Sequence, residues 1–194
     1  DNSQSFYSKE IKGVDSIYSA RKFFGVPDGG YLYTNKRLNI ELEQDNSSNR
    51  FKHLVERVEN GSEAAYRFFV ENDNRTYKEP IKKMSKITER LLSNINYENI
   101  ANIRKENFQF LHEKLNLKNQ LKIDVVTESI PMAYPFYSEN KELRNYLIQN
   151  KIYVPQYWHN VLQWVEKDTI EYKFVKQLVP LPIDQRYNQE HMSY

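Results

Sequence analysis

At Ser48 the hydrophobic period of this 194-residue chain changes, and that change constrains the fold more than any other feature. Before it, residues 1–40 are rich in turn formers and carry only short apolar runs. "GVDSIYS" (residues 13–19) and "GGYLYTN" (residues 29–35) read as brief strands, the second entered from an Asp28-Gly29-Gly30 turn. Strands this short cannot bury both faces alone, so they suit the edge of an α/β sheet. After Ser48, Phe51, Leu54, Val55 and Val58 fall at helical spacing as far as Asn60-Gly61, a helix stop. Ala64, Ala65, Phe68 and Phe69 form a second stripe. A third runs from Pro80, read as lying in a first turn, through Met84, Ile87, Leu91 and Leu92. Ile100, Ile103, Asn107, Phe108, Leu111 and Leu115 make a fourth. Helices therefore dominate residues 48–117.

The last third alternates. "LKIDVVT" and "AYPFYS" read as strands, and residues 142–149 as a helix with Leu143, Tyr146 and Leu147 facing inward. "IYVPQYW" reads as a strand, residues 161–178 as helix, and "LVPLPID" as an extended exit whose prolines bar it from a sheet interior. This order suggests a small α+β domain with helices on one face of a short sheet. The domains expected are residues 1–80 with the sheet edge and following helices, and residues 81–194 with linking helices and the α+β part.

Hydrophobic residues make up 39% and charged residues 28%, which fits an ordinary globular protein, and an aromatic share of 14% makes large rings a main source of core area. The 28 basic and 26 acidic side chains are spread evenly, so there is no electrostatic footprint for nucleic acid or an anionic membrane. The absence of cysteine excludes disulfides and thiolate metal sites, and His53, His112, His159 and His191 show no metal-ligand spacing. With no apolar run of membrane-spanning length and no signal-peptide pattern, a cytoplasmic setting is expected. The chain opens on Asp1 and reads as though something upstream has been removed.

The chemistry is concentrated in "SIYSARKFFGVPDGGYLYTN", residues 16–35. A lysine amine becomes nucleophilic when a neighbouring cation or desolvation lowers its pKa, and Lys22 has Arg21 on one side and Phe23 and Phe24 on the other. If the segment is extended, Arg21 and Lys22 point to opposite faces and only one enters a pocket. The alternative is two cations snorkelling beside an apolar patch. Asp1 with Gln4 would suit a cofactor needing a carboxylate on a ring nitrogen and an amide near a ring oxygen; the alternative is an exposed terminal Asp. "YWHN", residues 157–160, follows Pro155, and Trp158 there reads as an anchor packing the two domains. Arg186 in "LPIDQRY" is either a carboxylate or phosphate clamp or one half of a surface salt bridge.

Taken together, "DNSQS" at residues 1–5 and the serine–lysine–Gly-Gly–strand layout of residues 16–34 resemble the second half of a fold type I pyridoxal-phosphate-dependent enzyme. The resemblance is to the DegT/DnrJ/EryC1/StrS group of sugar aminotransferases. "MSKITERLL" is similar to the start of the helix leading to that family's small domain, and "ELRNYLIQNKIYVPQYW" to its small-domain helix and strand. The resemblance implies that Lys22 carries pyridoxal 5'-phosphate, that Asp1 pairs with the pyridinium nitrogen, and that Gln4 lies near the ring hydroxyl. Ser16 or Ser19 would contact the phosphate, and the segment carrying Trp158 and His159 would approach the substrate. It implies amino transfer between an amino acid and a keto-sugar, nucleotide-linked in some members, by a homodimer. The chain departs from the family where "TYKEPIKKMS" replaces a Gly- and Asn-rich approach to the partner's cofactor. The family's phosphate-gripping loop and ring-stacking aromatic residue belong to its first half, so this part alone is expected to be inactive. A non-catalytic binding module derived from the same fold is the alternative expectation.

Overall fold

A computed structural model of the protein describes residues 1–124 and 129–194. The chain is mixed α/β, with six α-helices and two small antiparallel sheets among the described residues. It divides into two compact units, Asp1–Asn96 and Tyr97–Tyr194.

In the first unit, strands β1 (Ser16–Ser19) and β2 (Gly30–Tyr33) pair antiparallel, with Ser16 opposite Tyr33 and Ser19 opposite Gly30. Alternation along β1 sends Ser16 and Tyr18 inward and Ile17 outward. Residues at the start of the chain lie alongside: Asn2 bridges to Tyr18 in parallel, its N–H donating to the Ile17 carbonyl at 2.8 Å. The connection between β1 and β2 is part of the core, not a free loop. Phe23 and Phe24 are buried in it, and Phe6 packs edge-on against Phe24 at 4.8 Å and against Tyr18 at 6.3 Å. Such edge-to-face pairs add about 0.5–1.5 kcal/mol each to the area they bury.

Helix α1 (Lys52–Lys78) breaks where the sequence places a stop: Gly61 has φ 85° and ψ 175°, so two helical pieces meet there at a kink. Helix α2 (Lys86–Ser93) starts later than Pro80 suggests. The Ser85 hydroxyl accepts from the Thr88 N–H at 3.3 Å and caps the first turn. Residues 80–85 are drawn out of helix by a parallel bridge between Gln44 and Lys83.

In the second unit, α3 (Tyr97–Leu115) follows its apolar spacing closely. Leu111 meets Tyr134 and Ile183 in a core to which Phe108, Phe136 and Met192 add. Strands β3 (Ala133–Tyr137) and β4 (Leu178–Pro182) pair antiparallel with Pro135 opposite Pro180. A two-stranded sheet has only edges, which is where prolines are tolerated. Helix α4 (Leu143–Gln149) forms as expected, but Tyr146 is 63% exposed, so the inward face is Leu143 and Leu147 alone. "IYVPQYW" is not a strand; it is an irregular segment ending in a 3₁₀ turn at His159–Gln163. The helix expected over 161–178 is shorter, α5 (Ile170–Gln177), capped by Thr169. Helix α6 (Gln189–Ser193) closes the unit. Of the strand expected over 121–127, residues 121–124 are irregular and the remainder lies outside the described residues. No helix among the described residues is long and apolar enough to cross a membrane.

Candidate functional site

Lys22 ends a 3₁₀ turn, Ala20–Lys22, that leaves β1 directly. The turn is not extended, so strand alternation does not separate the two cations; their partners do. Arg21 reaches Asp73 of α1 at 2.7 Å, while Lys22 is left exposed. The ammonium of Lys22 is still partly desolvated, and this, with Arg21 next to it, lowers its pKa; Asp73 opposes the shift. The phenylalanines that follow are core residues rather than walls around the amine.

The Pro27-Asp28-Gly29-Gly30 turn serves packing. Asp28 is buried and accepts from Arg50 at 2.8 Å and from the Thr88 hydroxyl at 2.7 Å. Arg50 makes two further bonds to Asp45, at 2.6 and 2.8 Å, which hold the Asp45 carboxyl below its ordinary range and raise Arg50. Ser47 and Ser85 share a buried hydroxyl contact beside this group, and Asn72 donates to the Pro27 carbonyl at 3.1 Å. Gly29, at φ 105°, lies so close to α2 that an added Cβ would be 3.0 Å from Thr88 Cγ2 and 3.4 Å from Met84 Cε. The glycine is there for α2. Sequence reasoning missed this network because its members lie 22 and 60 positions apart.

Of the residues expected to hold a cofactor, Asp1, Gln4, Ser16, Ser19 and Lys22 all fall in the first unit. The Asn2–Tyr18 bridge places Asp1 on the segment that runs parallel to β1, whose continuation carries Lys22. Asp1 Oδ1 accepts from the Ser3 N–H at 2.8 Å and from the Ser3 hydroxyl. Gln4 is half-buried in the turn that follows. Ser16 is buried, with its hydroxyl toward the Val14 carbonyl at 3.4 Å. Ser19, half-buried at the end of β1, is the serine nearer to Lys22 along the chain.

Trp158, His159 and Arg186 fall in the second unit and are not brought together. Trp158 borders a cavity of about 210 Å³ that also takes in Tyr157, Glu171 and Phe174. Arg186 borders a different and wider groove with Glu106, Glu190 and His191. Its guanidinium grips Asp184 through Nε at 2.6 Å and Nη2 at 2.7 Å, an arrangement that lowers Asp184 despite the burial opposing it. His159 is exposed at the start of the 3₁₀ turn. Among the described residues no group of histidine and carboxylate side chains could hold a metal ion.

Comparison with family models, with curated proteins and with solved structures finds no match.

Proposed function

We propose that this chain carries the cofactor lysine of a pyridoxal-phosphate-dependent, aminotransferase-like protein of the fold type I class. The observation that carries the reading is the parallel bridge of Asn2 to Tyr18. In open α/β sheets ligands gather at the carboxyl ends of parallel strands. Gln4 follows one partner of that bridge as Lys22 follows the other, so both leave it at the carboxyl end, while Asp1 precedes it.

The residues present fit the cofactor in part. Lys22 offers an amine that is exposed yet lowered in pKa, which enlarges the neutral fraction able to attach a carbonyl and to move a proton at the substrate α-carbon. Arg21, engaged by Asp73, is kept from competing for that place while still lowering its neighbour. Asp1 would face the ring nitrogen, Gln4 the ring hydroxyl, and Ser19 the phosphate, with Ser16 the less accessible alternative. The cofactor, when bound, supplies the electron sink for charge developing at the α-carbon. An amino acid and a keto-sugar are the substrates this reading implies, by analogy at the level of the fold. A dimer would complete the site.

The test is a pyridoxal-phosphate titration of the chain, followed by borohydride reduction and peptide mass mapping, with Lys22→Ala alongside. We expect a visible absorbance band and a reduced adduct on Lys22, both lost in the variant. An equal band in Lys22→Ala, or an adduct spread over surface lysines, overturns the assignment.

A second reading, an interaction module that keeps the fold without the chemistry, rests on the outward face of the β1–β2 sheet. Ile17 and Leu32 are register partners, and both are about half exposed, at 49% and 47%. Light scattering separates the two readings: self-association unaffected by Lys22→Ala and by cofactor favours the module.

A further inference from the structure

The cavity beside Trp158 is bordered by three aromatic residues, Tyr157, Trp158 and Phe174, and by one residue that carries a charge, Glu171; its wall is almost wholly apolar. Val161 and Leu178 supply aliphatic wall. Purely apolar packing accounts for the rings but not for two other features.

The first is the backbone of Trp158, which stands at φ 54° and ψ 44°, the left-handed region. A bulky residue there is a true outlier and is strained. Folding does not offset that strain by burying the indole, which remains 56% exposed. Strain held for an exposed ring points to a role for the ring's position.

The second is the way the walls are tied together. Gln156, on the segment before Trp158, donates to the Val175 carbonyl of α5 at 2.8 Å. Arg144 spans from the Pro155 carbonyl to the Leu178 carbonyl, the latter at 2.9 Å. Its guanidinium is thereby directed at two backbone oxygens and is not among the lining groups. Two long polar side chains thus fix the segment carrying Tyr157 and Trp158 against the end of α5 and the start of β4. A site fixed before binding loses less entropy when a ligand arrives.

A cavity walled by aromatic rings with one carboxylate at its side selects for charge and shape together. Ring faces attract a cation, and do so best for one whose charge is spread over methyl groups, because such a cation sheds water easily. A bare ammonium would keep its water; a neutral apolar group would gain nothing from the rings' quadrupole or from Glu171. We infer that this cavity is a binding site for an alkylated ammonium group, of the kind carried by trimethylated lysine or by choline. Tyr157, Trp158 and Phe174 form the cage and Glu171 supplies the counter-charge. The site stands apart from the Lys22 reading, and neither depends on the other.

The test is calorimetric titration of the chain with Nα-acetyl-trimethyllysine amide. The comparison probes are the unmethylated lysine amide and 3,3-dimethylbutanol, a neutral isostere of choline. We expect the trimethylated cation to bind about tenfold or more tightly than either, in line with the strength of desolvated cation–π contacts. Glu171→Gln, on an exposed helical position, should weaken the cation severalfold and leave the alcohol unchanged. Trp158→Gly keeps the left-handed backbone without strain, so its circular dichroism should match that of the parent while cation binding is lost. Equal binding of the cation and the neutral isostere, or no saturable binding by any probe in a folded protein, overturns the inference.

Discussion

Around β2 in the first unit, buried polar contacts join charge to charge: Asp28 to Arg50, Arg50 to Asp45, with Thr88 on the other oxygen of Asp28. In the second unit they join side chain to backbone. Arg104, 2% exposed, donates to the Met132 carbonyl at 3.1 Å, and the amide of Asn107 to the carbonyls of Ile183 and Tyr187. The difference decides how each unit fails. A single substitution, of Arg50, can delete the cation in the first unit and leave a buried carboxylate behind. No substitution can delete a carbonyl, so the weak point of the second unit is its hydrocarbon, centred on Leu111, Tyr134 and Ile183.

The largest effect that follows is in the first unit. Arg50→Ala leaves the buried Asp28 carboxylate with Thr88 alone and takes the partner from Asp45, and should cost about 3–5 kcal/mol. Hydrogen exchange should show protection lost across residues 1–96 while residues 97–194 keep theirs; uniform loss would mean that the two units unfold as one. Ile183→Ala makes the converse cut. It opens a cavity at a fully buried position and should cost roughly 2–5 kcal/mol, read by urea denaturation, with the loss of protection confined to the second unit.

Gly29→Ala comes next. It combines a positive φ with a 3.0 Å approach to Thr88 Cγ2, whereas Gly61→Ala meets positive φ but open space. We expect about 1–3 kcal/mol for Gly29 and less for Gly61, measured by thermal melts. Equal costs would show that backbone strain alone, without the crowding of α2, sets the penalty. The helix caps should differ between the units: Thr169→Ala removes one acceptor for a first-turn N–H, at about 1 kcal/mol, whereas Ser85→Ala also takes the buried partner from the Ser47 hydroxyl and should cost more.

The smallest and most selective effect is on pH. Burial, the largest cause, lowers the pKa of His53 in the first unit. A depressed value in the folded state means that the unfolded chain binds the proton more readily. The stability from this group is therefore complete above the ordinary imidazole value of about 6.5 and is lost as pH falls from there through the folded value. His53→Gln should flatten that slope in the first unit. An unchanged slope there would show that His53 does not carry it; Asp45, whose lowered carboxyl acts only at more acidic pH, cannot supply a slope in that range.

Local signals were readable where a residue's own backbone preference decides the matter. Gly61 interrupts α1 because it alone adopts φ 85° without a clash, and the Asn60-Gly61 pair announces it. β1 and β2 follow from alternation bounded by turn residues. The start of α2 was misplaced because Pro80 is the louder signal, yet the bridge from Gln44 to Lys83 holds the chain extended until Ser85 can cap. "IYVPQYW" has strand propensity but no partner strand among the described residues, so it stays irregular and ends in the strained turn at Trp158. Val58, on the expected apolar stripe of α1, is 83% exposed: periodicity shows which face of a helix is apolar, not whether anything covers it.

By itself, the sequence determined the helical middle, the two short strands at its start, the turn chemistry between them, and the lysine next to an arginine. These depend on neighbours along the chain, where sterics and period act directly. Only the tertiary structure decided which groups that turn and its neighbours meet. Asp28 acquires its meaning from Arg50 and Thr88, Arg21 from Asp73, and Trp158 from Glu171 and Phe174. The physical reason is common to all three. Charge pairing and aromatic enclosure act over a few ångströms of space, and sequence distance carries no record of which groups folding will bring that close.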